Sequence, residues 1–481
     1  MPSVTQSSTT KVSSSIFKCK PKVTHKPRWR IYCVLLLAFL MLVYTATALR
    51  IGTGIYNGGP DEYVRYLVPK AISEGNLLPR GDDPSTTAKI GNYSYAYYPQ
   101  LLGAYIQGFL IWVARILGLH ATGQLVAARM CSVMFGVLGA YEAGACISCT
   151  LEAKGFHSER WRLLTISLVG FWPQYVFLSS YVNNDIIAVA GVGIVLHMLL
   201  EGSEKGWNLN RCVRFAIGII VCALSYLDTY GFILVSIPFF IWSISRNQDI
   251  DHSDKIKLVC IAAAICAVTI LPFFAICAVR YGDPLGSKAF EAAYRQWVLK
   301  TGSQTMHPYT GGLKKLFFTT SFVRSTLISY VGNFGYMSIP VPDWECQLFL
   351  GSTCLFAIIR LIKLVANKDS RHLAIYLAVL IASLITLILM VFRTITTDYQ
   401  AQGRYILPTL IPLCVAAVLG LQSLLSHISN REQAATIAAI CIMLISVSLC
   451  TFAWAATAYD WHGVNGPELQ AAFQSVADVD K

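Results

Sequence analysis

Residues 31–51 read IYCVLLLAFLMLVYTATALRI, an apolar run that carries one charge, Arg50. About 20 such residues cross the ~30 Å hydrocarbon core of a bilayer as a helix, so the run is long enough to span. The residues before it are rich in Ser and Thr and then basic, with Lys18, Lys20, Lys22, Lys26, Arg28 and Arg30. Ala46-Thr47-Ala48 resembles a small-residue cleavage site, but the basic region is long for a signal peptide. The run is therefore read as a retained first span behind a disordered basic cytosolic tail at 1–30.

The remainder of the 481 residues agrees with that start. Only 13% are Asp, Glu, Lys or Arg, against roughly 25% in soluble domains, while 55% are hydrophobic. Mean hydropathy is +0.54. A soluble fold is excluded. The 38 basic and 26 acidic residues give a net charge of +12. The bases lie in short clusters between apolar runs rather than on one face, so no nucleic-acid partner is expected.

Further apolar runs at 125–150, 163–181, 186–200, 212–227, 230–245, 258–279, 347–365, 373–392, 405–424 and 436–458 bring the total to about eleven spans. Lys and Arg in short loops mark the cytosolic side. If 101–119 does not cross, the basic loops at 154–162, 205–214, 246–257, 360–371 and 431 share the side of the amino-terminal tail, and the opposite short loops hold only Arg393 and Arg404. Residues 101–119 are therefore read as a helix lying in, or dipping into, the outer leaflet. The outer face then gathers the loop 52–100, the turn Asn183-Asn184-Asp185, the segment 280–346 and the loop 393–404. Domain organisation follows: a polytopic unit over 31–458, with outer-face portions at 52–124 and 280–346, and an outer tail at 459–481.

Several residues on that face could carry chemistry. Asp61 and Glu62 follow the first span directly. Asp61 reads either as the cap of a short helix starting at Glu62, interrupted by Pro69, or as a general base at the membrane surface. Asp185 reads as a turn residue or as part of the same site. Arg404 could fork onto a phosphate or merely anchor its span. Tyr93, Tyr95, Tyr97 and Tyr98 read as an interfacial belt or as rings that stack on sugars. Glu142 and Arg129 lie inside a span, and Asp228 at an outer helix junction reads as a cap.

At Pro60-Asp61-Glu62, Glu74-Gly75-Asn76-Leu77-Leu78-Pro79, Tyr98-Pro99, Trp172-Pro173, Asn184-Asp185 and Gln402-Gly403-Arg404-Tyr405-Ile406-Leu407-Pro408, the sequence resembles a bacterial family of predicted membrane proteins in the GT-C glycosyltransferase superfamily. The likeness extends from the first span to about Pro412. More distantly the sequence is similar to protein O-mannosyltransferases and lipid A aminoarabinose transferases. The family's first motif has His three residues after its Glu, where this chain has Arg65.

The resemblance implies an all-α, GT-C-like polytopic membrane enzyme of the plasma (inner) membrane with outer-face juxtamembrane helices. It implies transfer, with inversion, of a sugar from a polyprenyl-phosphate donor to a glycan or lipid-linked acceptor. It further implies Asp61 as base, Glu62 and Asp185 as orienting or metal-binding carboxylates, and Arg404 with Arg65 at the donor phosphate. Asn184, Gln402, Tyr97 and Tyr98 are the expected substrate contacts. Some members of the superfamily use a divalent cation, and the sequence leaves metal dependence open. The rival classes are a transporter or flippase of a lipid-linked sugar, expected to show repeats and broken helices, and an inert scaffold.

Overall fold

The structure is a computed structural model that describes residues 27–52, 59–156, 158–248, 250–337, 339–425 and 431–460. The expected tail at 1–30 falls outside these up to residue 26, and the expected tail at 459–481 falls outside from residue 461.

Of the described residues, 78% are helical. In order come α1 (Pro27–Arg50), α2 (Glu62–Ser73), α3 (Leu102–Ile116), α4 (Ala121–Ala153), α5 (Glu159–Gly170), α6 (Pro173–Leu178), α7 (Asp185–Lys205), α8 (Leu209–Ser225), α9 (Tyr230–Ser245) and α10 (His252–Tyr281). The short helices α11 (Ser287–Thr301), α12 (Leu313–Phe318) and α13 (Phe322–Val331) follow. An antiparallel ribbon, β1 (Asn333–Phe334) with β2 (Ile339–Pro340), leads into α14 (Asp343–Ala366), α15 (Ser370–Thr396), α16 (Leu410–Leu424) and α17 (Arg431–Asp460). The segment 280–346, expected as an outer-face loop, thus holds three helices and the ribbon.

Composition sets how deep each helix lies. The sequence of α7 is apolar on every side, and 89% of its spanning window is buried. α10 is also apolar but only 6% buried, with Val268, Leu271 and Val279 turned outward. Similar stripes run along α14 (Leu355, Ile358, Ile362) and α15 (Leu380, Leu384, Ile388) at the spacing of one helical face. A bundle with a packed central helix and an apolar belt is at home in lipid.

Among the described residues, eight helices are long and apolar enough to cross a membrane. The run 163–181, expected as one span, is broken: α5 stops at Gly170, and the six-residue α6 restarts at Pro173. Proline has no N–H for a continuing helix and suits the first position of a new one. The indole of Trp172 at the break donates to the Tyr330 carbonyl at 2.7 Å. α8 has 17 residues, about 26 Å of helix, and α3 has 15, about 22 Å, each less than the hydrocarbon core.

Contacts between loops sort the ends of the bundle. At one end Lys154 meets Asp369 at 3.1 Å, Arg160 meets Glu432 at 3.6 Å, and Arg371 donates to the Ser203 carbonyl. At the other end the carboxyl end of α1, the α6–α7 junction, the turn before α9 and the 3-10 segment before α16 come together. The candidate site lies at this second end.

Candidate active site

The junction after α1 is held by one buried ion pair. Both Glu62 oxygens accept from Arg129 of α4, at 2.8 Å from Nε and 2.7 Å from Nη2. Oε1 also accepts from the Val182 amide at 2.8 Å and Oε2 from the Gly59 amide at 3.1 Å. Arg129 spends its remaining N–H groups on the Ala48, Ile51 and Gly52 carbonyls, where α1 ends and its last C=O groups lack helical partners. With four bonds to the carboxylate and five N–H groups used, the pair has no capacity left. Glu62 therefore faces the scaffold, and this geometry gives it no place as an orienting or metal-binding carboxylate at an open site.

Asp61, one residue earlier, turns the other way. Its backbone is left-handed (φ 62°), a conformation Asp tolerates better than most residues, and its side chain makes no cap bond to α2. Of the two readings of Asp61, the structure shows no side-chain cap, and α2 continues through Pro69 to Ser73. The Asp61 carboxylate instead accepts from Arg404 Nη2 at 2.6 Å and stays 39% exposed, open to a substrate.

Around this contact stand two further pairs. Arg65 Nη2 lies 3.5 Å from Asp185 Oδ2, and Arg393 Nη2 lies 3.3 Å from Asp228 Oδ1. Two parallel tyrosine rings, Tyr226 and Tyr405, sit between them with centroids 6.2 Å apart. The guanidinium of Arg393 lies over both rings, that of Arg65 over Tyr226 and Tyr95, and that of Arg404 over Tyr405. Three arginines and three aspartates thus surround one aromatic pair, and their formal charges cancel.

These pairs are incomplete. Arg65 Nε and Nη1, Arg404 Nε and Nη1, both oxygens of Asp185 and of Asp228, the Tyr181 hydroxyl and Gln402 Oε1 are buried without a hydrogen-bond partner. An unmet buried polar group costs about 1–3 kcal/mol, more when charged, so such a concentration is expensive unless a polar ligand completes it.

Local backbone explains how Arg404 arrives here. Gly403 donates to Ser329 Oγ at 2.7 Å, and a Cβ at Gly403 would run into the Tyr330 backbone. Only glycine lets the 3-10 segment Gly403–Thr409 press this closely on α13. Asp185 opens α7, so the helix dipole favours its charge. Asn183, rather than Asn184, caps α7, accepting from the Ile186 amide at 3.0 Å.

Asp61, Arg65, Asp185, Gln402 and Arg404 are thus brought to one place. Tyr97 and Tyr98 are not part of the charged cluster: both rings pack on Phe290 of α11. Tyr95 takes the position beside Arg65 instead. Asn184 lies against Gly103 of α3 and enters no hydrogen bond of the site. The sequence reading missed the roles of Asp228, Arg393, Tyr226 and Tyr95. Arg393 shared with Arg404 the one available signal, a base on the otherwise base-poor side.

Burial pushes the Asp61 carboxyl up, but the Arg404 and Arg65 guanidiniums outweigh it and hold it below the usual carboxylate range. Burial pushes the Tyr95 phenol up to about 12 against the pull of Arg65, so it remains a donor. A divalent cation does not fit these residues. Each aspartate has an arginine beside it, and no group of three or more His, Cys, Asp or Glu that could hold a metal occurs among the described residues.

No curated protein matches the chain in sequence. Among solved structures it is similar to ArnT from Cupriavidus metallidurans bound to undecaprenyl phosphate, at 14% identity and TM-score 0.50, covering 93% of this chain and 74% of that one. The apo form of that protein aligns over 88% of this chain and 64% of its own length at TM-score 0.49. The Archaeoglobus fulgidus oligosaccharyltransferase, in complex with Zn and sulfate, aligns at 16% identity and TM-score 0.50 over 88% of this chain and 53% of its own length. The chain therefore spans about half to three quarters of the length of these proteins, and the likeness is one of fold, GT-C-like and all-α. The family described as predicted membrane protein (DUF2142) matches residues 77–414, beginning after the Pro60-Asp61-Glu62 motif rather than at the first span. Since that match covers more than half of its length, the chain belongs to this DUF2142 family of membrane proteins.

Proposed function

We propose that the protein is a lipid-phosphate-sugar-dependent glycosyltransferase that moves a sugar, with inversion, from a polyprenyl-phosphate donor to a glycan or lipid-linked acceptor. The observation that carries this reading is the half-open Asp61 carboxylate ringed by buried, unpartnered arginine donors and aspartate acceptors. The shared fold with a protein solved with undecaprenyl phosphate supports the choice of donor.

Chemically the parts divide between leaving group and nucleophile. The free Nε and Nη1 of Arg404 and of Arg65 can fork onto the donor phosphate. Engagement of Arg404 by phosphate loosens its bond to Asp61, whose basicity then rises toward that of an ordinary carboxylate. Asp61 takes the proton of the acceptor hydroxyl as its oxygen attacks the anomeric carbon. The carbon–oxygen bond to phosphate breaks, and the polyprenyl phosphate leaves with the electron pair, its charge met by the arginines. Asp185 and Asp228, whose four oxygens lack hydrogen-bond partners, accept from sugar hydroxyls, and Tyr226 offers a ring face. No step passes through a metal.

The same reading takes the amino terminus as cytosolic and the Asp61 face as outside the plasma membrane, supported by the base distribution of the loops. The test is incubation of the purified protein with a radiolabelled polyprenyl-phosphate sugar and acceptor-containing membranes. Release of free polyprenyl phosphate with label in the acceptor is expected. Movement of intact lipid-linked sugar across the bilayer without release would instead make the protein a flippase.

A further inference from the structure

On the lipid side of the core, α7, α14, α15 and α16 enclose a cavity of about 310 Å³. Its walls are apolar, formed by Leu196, Leu364, Val379, Leu387, Leu413 and Leu419. From His372 to Leu387 it follows α15 for about 22 Å at 1.5 Å per residue. One end reaches Ile406 and Thr409, in the turn that carries Arg404. The other reaches Arg360, His372 and Tyr376, at the end of the bundle opposite the candidate site.

Most polar groups along this groove have a hydrogen-bond or ion-pair partner. Ser383 donates to the Val379 carbonyl, Thr409 to Ile406 and Tyr376 to Ala357. His372 stands between Glu204 at 2.8 Å and Asp369 at 2.9 Å. Asp369 is held in addition by Lys154. Arg360 is 8% exposed, and its side chain has no hydrogen bond or ion pair among the described residues. It sits six residues, about 9 Å, inside the end of α14. An arginine this deeply buried, with its guanidinium reached only from an apolar groove and no protein partner, marks a place for an anionic ligand.

The position of the charge decides which way a lipid enters. A chain suspended from the Asp61 end would set bare hydrocarbon against Arg360. A lipid from the other leaflet sets its phosphate there and lays an acyl chain along the groove. Lys363, in the last turn of α14, and Lys368, just beyond it, add positive charge at this end of the bundle for a net-negative headgroup, while the acids Glu204 and Asp369 pair with His372 and Lys154.

We propose that this groove is a binding site for an anionic glycerophospholipid of the leaflet opposite the candidate site, its phosphate forked by Arg360 and one acyl chain running toward Ile406. The inference does not depend on the transferase reading.

The full chain, purified in a zwitterionic detergent, is titrated with dioleoyl phosphatidylglycerol or dioleoyl phosphatidylcholine while thermal unfolding is followed. Phosphatidylglycerol is expected to raise Tm by about 2–4 °C with saturation, and phosphatidylcholine by much less. Arg360→Gln abolishes the difference between the two lipids, and Lys363→Gln keeps most of it. If Arg360→Gln does not fold, Val379→Trp, which fills the groove and leaves Arg360 in place, decides the matter by losing the saturable rise. Equal shifts from both lipids, or an undiminished phosphatidylglycerol effect in either variant, overturn the proposal. So does competition by polyprenyl phosphate that persists without Arg360, which would give the groove to a chain suspended from the other end.

Discussion

Asp61 and Glu62 are adjacent acids with opposite environments. Glu62 accepts four hydrogen bonds, and its partner Arg129 donates all five of its own. Asp61 accepts one side-chain bond from an arginine that keeps Nε and Nη1 free. A buried charge pair holds a fold best when every donor and acceptor is matched, because desolvation is then fully offset. A pair left open destabilises the protein until a ligand completes it. Saturation, more than residue type, separates the anchor from the candidate site, and the variants below press on that distinction.

The largest effect is expected at the anchor. Arg129→Met strands the Glu62 carboxylate and the last carbonyls of α1, which should cost about 3–5 kcal/mol, a large part of a typical total of 5–15 kcal/mol. Thermal unfolding and yield of folded protein in detergent measure it. A stable, well-expressed Arg129→Met would show that the saturated pair is dispensable. Nearly as large, but in rate, is Asp61→Asn. Transfer should fall about 10²- to 10⁴-fold while yield and Tm stay near wild type. Transfer near the normal rate by Asp61→Asn, at equal protein in the membrane, removes Asp61 from the mechanism.

A smaller effect is expected where the open site meets the fold. Gly403→Ala forces the 3-10 segment off α13, an overpacking cost of about 1–3 kcal/mol, and shifts Arg404 with it. Both Tm and transfer should drop, whereas at the anchor stability falls first. Arg404→Lys keeps the charge and loses the fork, so donor KM should rise roughly tenfold with little change in Tm. Unchanged donor KM and kcat would reduce Arg404 to an anchor of its helix.

How far the sequence could be read follows the range of the interactions. Apolar runs and loop charges are local signals, and they suffice for an all-α membrane fold and for grouping the loops by end. Pro173 lies inside the run 163–181 and marks the break, a local signal that hydropathy alone does not register. Asp61, Arg65, Asp185 and Arg404 were recognisable from motifs, whereas the bond between Asp61 and Arg404 joins residues 343 positions apart and leaves no local trace. The same distance hid Glu62: nothing near it in sequence announces that Arg129 waits on α4. Asp228 and Arg393 read as a cap and a loop base because only folding sets them across one pair of tyrosine rings.

The smallest effect is in pH, and it tests the open pair most directly. Arg404 and Arg65 overcome burial and hold the Asp61 carboxyl below its usual range, so the folded protein binds this proton less readily than the unfolded chain. The sign follows: the pair's contribution to stability is present above the unfolded value of about 4 and is lost as pH falls through the lower folded value. Since Asp61 is half-buried and screened, that contribution is small, and kinetics reads the shift better. The acid limb of kcat/KM reports the free protein and should lie below pH 4, while that of kcat reports the complex, where phosphate engages Arg404, and should lie higher. Arg404→Gln removes the cation bonded to Asp61, so its residual activity should show a kcat/KM limb moved upward. Coincident limbs in the wild type, together with an unmoved limb in Arg404→Gln, would show that Asp61 is not the titrating base and that its contact with Arg404 is as structural as that of Glu62 with Arg129.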